Sequence, residues 1–160
     1  MDKNYFKKNE KTDYEKLIDF NSIKHFFNRL DKTPAKHDFD ASGDTKDGRL
    51  TAIELKSRNA LLTKENTVSG SNFNDNTVFI EDYKMAALLA EFVVTKAVPL
   101  YINFLSDGTV LIWNLSKLSS VPQKIPIIIK NNGYGQMEKA YRYLLKVDDA
   151  MVYKPLITTN

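Results

Sequence analysis

The chain is 160 residues long, 42% hydrophobic and 27% charged, which is enough apolar material for one domain around one core and too little charge for disorder. It contains no cysteine, so disulfides, thiolate metal sites and cysteine nucleophiles are all excluded. Its net charge of +3 is compatible with a polyanionic partner without requiring one.

Two histidines, His25 and His37, are too few for a histidine-rich metal site, so any metal must be held mainly by oxygen, which favours Mg²⁺ or Mn²⁺. No apolar run reaches the roughly 18–20 residues of a membrane span, and the N-terminus lacks the apolar centre of a signal peptide. A cytoplasmic protein with no membrane contact is expected, a single domain over residues 1–160 with a flexible stretch over 1–12.

In chain order, Tyr14, Leu17, Ile18, Ile23, Phe26, Phe27 and Leu30 recur at helical spacing, predicting one bent helix over Asp13 to Leu30, or two with Asn21-Ser22 capping the second. Asp38 to Ser42 reads as a short strand. The Asp47-Gly48 pair is a hairpin signal, and Arg49 to Arg58 is the return strand. Alternation puts Leu50, Ala52, Glu54, Lys56 and Arg58 on one face of it and Thr51, Ile53 and Leu55 on the other.

Residues 59–78 read as a loop. Phe79 to Ala97 is apolar almost all round, as in a helix packed on a sheet. Leu100 to Leu105 and Thr109 to Leu115 form a hairpin of central strands. Pro122 and Pro126 frame an edge strand over Ile127 to Ile129. Met137, Ala140, Tyr141, Leu144 and Leu145 predict a last helix over Gln136 to Lys146.

The chemistry concentrates between Asp40 and Lys56. A glutamate and a lysine inside a strand cost free energy unless they meet each other, a metal or a ligand. Two carboxylates that hold a cation, a backbone carbonyl such as that of Leu55 as third ligand, and an ammonium beside them are equipment for hydrolysing a phosphodiester. Asp40 and Glu54 are the carboxylates and Lys56 the ammonium, and a tight hairpin over the intervening residues brings them together. Asp38 competes with Asp40 for the first place. A surface strand with a cross-strand ion pair is the plainer alternative. Arg58, Lys64 and His37 are candidate contacts to phosphate, or ordinary solvated side chains. No phosphate-binding glycine loop, nucleophile elbow or dinucleotide fingerprint is present.

Asp40 followed by Glu54-Leu55-Lys56 resembles the PD-(D/E)xK nuclease superfamily, with Phe39 standing where the motif's name has proline. The run Asp40-Ala41-Ser42-Gly43, Gly48-Arg49, Glu54-x-Lys56, then a loop, a helix and a hairpin, looks most like the Holliday-junction-resolvase-like members. The resemblance implies an α/β protein with a restriction-endonuclease-like mixed β-sheet flanked by α-helices. It implies Mg²⁺- or Mn²⁺-dependent hydrolysis of DNA, including branched DNA in recombination, replication or phage DNA processing. By the same resemblance Asp40 and Glu54 would bind metal and Lys56 would assist the attacking water. A carboxylate from the first helix would join them, with Glu15 the first candidate and Glu10 behind it. Lys84 or Tyr83 would be the polar residue of the following helix, and a homodimer would be expected. A non-catalytic DNA- or protein-binding module keeping the nuclease fold is the alternative.

Overall fold

A computed structural model describes residues 10–63, 67–69, 76–130 and 137–155. It is an α/β protein in which two helices flank a six-stranded mixed sheet, with two smaller sheets beside it. Helix α1 (Asp13–Lys24) leads into a meander of β1 (Phe27–Lys32), β2 (Ala41–Thr45) and β3 (Leu50–Arg58). A short hairpin, β4 (Leu61–Thr63) and β5 (Thr67–Ser69), then β6 (Thr77–Glu81) and helix α2 (Asp82–Thr95) follow. They carry the chain over the sheet to β7 (Val98–Leu105), which runs parallel to β3. Such a crossover is what a parallel pair requires. The hairpin partner β8 (Val110–Asn114) follows, then β9 (Gln123–Lys130), β10 (Met137–Lys146) and β11 (Met151–Tyr153). The large sheet has the order β1-β2-β3-β7-β8-β11, and β6-β10-β9 form a second sheet.

Two cores lie on opposite faces of the large sheet. Under α1, Leu17 and Phe20 pack on Ile53, Leu55 and Ile102. Under α2 and the second sheet, Met85 and Leu88 meet Tyr101, Trp113, Ile80 and Leu145. Trp113 keeps its indole N–H satisfied by donating to the Lys146 carbonyl at 2.8 Å, which ties the second sheet to the first. No described helix is long and apolar enough to cross a membrane.

Several expectations are corrected. Helix α1 stops at His25, held in the left-handed region (φ 51°), and Phe27 to Lys32 is a strand. Asn21 caps no second helix. Its amide group bonds both the N–H and the carbonyl of Phe27, turning the chain back into the sheet. Thr12 is not frayed but caps α1 in a reciprocal box with Glu15. The strand expected from Asp38 starts at Ala41, and Asp38 and Asp40 precede it in a bend. The stretch read as a loop contains β4, β5 and the start of β6.

Helix α2 begins at Asp82, after Phe79 to Glu81 have paired as a strand. The largest departure is β10. Met137 to Lys146 has helical apolar spacing yet is a strand, with β6 on one side and β9 on the other. Tyr141, Tyr143 and Leu145 also alternate, and two ladders of backbone hydrogen bonds favour that period over the helical one. The Arg49–Arg58 strand, the Leu100–Leu115 hairpin and the β9 edge strand agree with expectation.

Candidate active site

The hairpin depends on two local features. Gly48 takes a φ of 80° in the turn, open to glycine at little cost. The Asp47 carboxyl is held below its ordinary range, first by the Thr45 hydroxyl. At the far end β2 leaves the sheet at Asp40. The Asp40 N–H still donates to the Ile53 carbonyl and its carbonyl accepts from Thr33 N–H, both at 3.0 Å. Beyond that rung, the Leu55 N–H of β3 faces no strand. The Asp40 carboxylate takes the strand's place and accepts from it at 2.9 Å. Asp40 is thereby fixed to the middle residue of Glu54-Leu55-Lys56.

Strand alternation separates the neighbours of that bond. Ile53 and Leu55 face α1. Glu54, only 2% exposed, lies on the α2 face beside Ala52 and Arg58, and its carboxylate forms an ion pair with Lys84 in the first turns of α2. Burying a carboxylate this deeply requires such a partner. Lys56 is half-buried and makes no side-chain hydrogen bond or ion pair with another described residue. It follows Glu54 by two residues and shares its face of β3.

Arg58, 7% exposed, has a different task from contacting phosphate. Its guanidinium donates to Asn103 Oδ1 at 2.9 Å, to the Phe79 carbonyl at 2.7 Å and to the Tyr101 hydroxyl at 2.6 Å, and it lies 4.2 Å from the Phe79 ring centre. Burial pushes the Tyr101 phenol above its ordinary range, although the Arg58 charge pulls the other way. Arg58 thus fastens β6, and with it the start of α2, to the strand that carries Glu54. No protein-family model matches this chain, and no curated protein or solved structure matches it.

The remaining candidates are dispersed. Glu15 accepts from the Thr12 N–H at 2.8 Å as part of the helix cap, and Glu10 lies at the exposed start of the described chain. Asp38 is exposed, and so is Tyr83 at 70%. His37 is exposed with its ring edge-on to Phe39, at 4.5 Å between centres. Lys64 lies outside the described residues. Contrary to expectation, the hairpin does not set the two carboxylates in one cleft: Asp40 opens into a cleft of about 220 Å³ with Asp13, Tyr14, Lys32, His37 and Leu55 in its walls, on the α1 side of β3, whereas Glu54 is covered by α2. Among the described residues, no three histidine, aspartate or glutamate side chains converge as a preformed metal cage.

Three residues that the sequence had not singled out also meet β3 here. The Ser57 hydroxyl bonds Asp13, and Lys16 donates to Ser57 at 2.7 Å. The signal was present in Thr12-x-x-Glu15. A capping box starts a helix at Asp13, so Asp13 and Lys16 fall in its first turns, three residues apart on one side.

Proposed function

We propose that this protein is a Mg²⁺- or Mn²⁺-dependent deoxyribonuclease with a restriction-endonuclease-like fold. The observation that carries the proposal is the hydrogen bond from the Leu55 N–H to the Asp40 carboxylate at 2.9 Å. It ties the motif aspartate to the strand bearing Glu54 and Lys56, with Asp40 on the α1 side of that strand and Glu54 on the α2 side. The element order lends support: a helix, a three-stranded meander, a crossover helix and a strand parallel to β3 make a mixed sheet flanked by helices.

Asp40 and the Leu55 carbonyl would offer a cation hard oxygen ligands on the α1 side of β3, and Glu54 would reach it only by leaving Lys84 on the α2 side; Mg²⁺ is commonly bound through one or two carboxylates while keeping waters. When bound, the cation supplies an acidified water and offsets charge on the phosphate. The chain's own contribution is positioning and proton handling. Asp40 is oriented by Leu55 and Glu54 by Lys84. The Lys56 ammonium, unpaired among the described residues, is free to orient the attacking water or to steady charge on the phosphate oxygens.

The test is cleavage of linear, branched and single-stranded DNA with Mg²⁺ or Mn²⁺, beside Glu54→Ala and Lys56→Ala variants and metal titration by calorimetry. Metal-dependent cutting lost in both variants supports the proposal; a wild-type protein that cuts none of these and binds no metal sinks it. One observation favours a second reading, a non-catalytic DNA- or protein-binding module. The Glu54 carboxylate is already engaged by Lys84, and that of Asp40 by a backbone N–H. Such a module would bind its partner without cutting and would tolerate Lys56→Ala. A homodimer belongs to the nuclease proposal and is read by sedimentation.

A further inference from the structure

Two cavities lie on the α1 side of the large sheet, the side on which Asp40 opens. The larger, of about 570 Å³, has an apolar floor of Phe20, Phe104, Val110 and Tyr153, with Lys16, Lys24 and Lys154 in its walls. The second, of about 470 Å³, shares Lys24 and adds His25, Lys46 and Arg49 around Phe26 and Leu100. Both volumes fall in the range of small-ligand sites, roughly 300–1,000 Å³.

Their charge is one-sided. Lys16, Lys24, Lys46, Arg49 and Lys154 stand against two carboxylates, Asp19 and Asp47. Each carboxylate already has a cation, Lys11 for Asp19 and Arg49 for Asp47. The Lys46 and Lys154 side chains are exposed and make no hydrogen bond or ion pair with another described residue. Lys24, which lines both cavities, holds its ammonium 5.8 Å from the centre of the Tyr153 ring. Cations above an aromatic and aliphatic floor suit an anion with a flat, largely apolar body. A nucleotide of a single strand is such an anion, and proteins that hold single strands combine a basic groove with apolar surfaces for the bases. The bases of a duplex reach a pocket only by flipping out of the stack.

The cavities also adjoin the candidate active site. Lys16, in the wall of the larger one, donates to the Ser57 hydroxyl at 2.7 Å. The same hydroxyl bonds Asp13, in the wall of the Asp40 cleft. From Lys16 to Lys24 the helix rises about 12 Å, so the cleft and both cavities follow one another along α1.

We propose that this line of cavities binds an unpaired DNA strand, with bases in the cavities and phosphates on Lys24, Lys46 and Lys154, and leads that strand to Asp40. The inference rests on the nuclease reading and narrows its substrate to DNA with a single-stranded end, flap or fork.

The experiment measures binding of the full chain to a labelled oligothymidylate and to a blunt duplex of the same length, without divalent metal, across a series of salt concentrations. The variants are Lys24→Gln/Lys46→Gln/Lys154→Gln, the same positions changed to Arg, and Ile23→Glu, which puts a carboxylate in the wall of the larger cavity at a residue already 62% exposed. A control, Lys96→Gln/Lys117→Gln/Lys124→Gln, changes exposed lysines outside both cavities. The wild type is expected to bind the single strand roughly tenfold more tightly than the duplex. The Gln variant should lose roughly tenfold or more of that affinity and lower the salt slope by about 2, near 0.7 for each phosphate no longer neutralised. The Arg variant should restore both, Ile23→Glu should weaken single-strand binding, and the control should change neither affinity nor slope. Equal or tighter binding of the duplex overturns the proposal, as does wild-type single-strand affinity in the Gln variant or in Ile23→Glu, or an equal loss in the control. A shift from dimer to monomer in Ile23→Glu by sedimentation gives the larger cavity to a second copy and also overturns it. In each of these cases metal-dependent cleavage by the wild type leaves the nuclease reading standing. A wild-type protein that neither binds nor cuts either DNA overturns both.

Discussion

On one face of β3, Ile53 and Leu55 are sealed beneath α1. On the other, Glu54, Lys56 and Arg58 put three ionisable side chains beneath or beside α2. The aliphatic pair stabilises by roughly 1.5–3 kcal/mol per buried side chain. The charged face does the opposite unless every buried charge finds a partner, and it has found them unevenly. Glu54 has Lys84, Arg58 has Asn103, Tyr101 and Phe79, and Lys56 has none among the described residues. Aliphatic residues on both faces would make the more stable strand. The charged face marks where the sequence departs from stability, and such departures concentrate at functional sites.

The contrast can be broken experimentally, beginning with the residue whose charge has no partner among the described residues. Lys56→Ala is expected to lower metal-dependent cleavage by roughly 10²–10⁴-fold while the unfolding midpoint stays within a degree or so of wild type, read by nuclease assay and thermal melt. A large loss of stability would instead make Lys56 a structural residue. Ile53→Ala should behave in the reverse manner. It opens a cavity on the α1 face and is expected to cost about 2–4 kcal/mol in chemical denaturation, with specific activity preserved wherever the variant is folded.

Lys84→Met lies between the two. It leaves Glu54 buried without its partner, and a loss of roughly 2–3 kcal/mol is expected. That is less than the 3–5 kcal/mol of a fully buried pair, because the Lys84 side chain is a quarter exposed. Asp40→Asn is a finer probe. The asparagine carbonyl can still accept from the Leu55 N–H, so stability should change by less than about 1 kcal/mol, whereas metal affinity by calorimetry should drop. An unchanged metal isotherm would remove Asp40 from the proposed ligand set.

The smallest effect is a pH slope on the charged face. Burial holds the Tyr101 phenol above its ordinary range, so the folded protein keeps that proton to higher pH than the unfolded chain does. The associated stability is fully present below about pH 10, the unfolded value, and is lost as pH rises towards the folded one. Denaturation midpoints at mildly and strongly alkaline pH should show this decline, and Tyr101→Phe should flatten it.

Much of this arrangement was legible in the residues. Asp47-Gly48 announced the hairpin, and alternation along β3 announced which side chains share a face. Ser106-Asp107-Gly108 announced the central hairpin β7–β8. What escaped were segments whose two periods compete. Phe27 to Lys32 and Met137 to Lys146 each carry apolar residues at helical spacing, and each became a strand because a neighbour offered a ladder. The residues Asp40, Glu54, Lys56 and Lys84 could be singled out from the sequence, and of these the fold pairs Glu54 with Lys84 and sets Asp40 on the other side of β3. It was not legible at Asp13, Lys16 and Ser57, whose meeting depends on how α1 crosses β3.

The sequence by itself determined the local chemistry: a turn that folds Asp40 back onto β3, and a strand whose alternate residues carry Glu54, Lys56 and Arg58. Only the tertiary structure decided which of those charges are satisfied. Pairing partners for Glu54 and Arg58 come from α2, β6 and β7, more than twenty residues away in the chain. Short-range patterns encode turns and faces because they depend on neighbouring residues. The burial and pairing of a charge depend on what the rest of the fold brings to it.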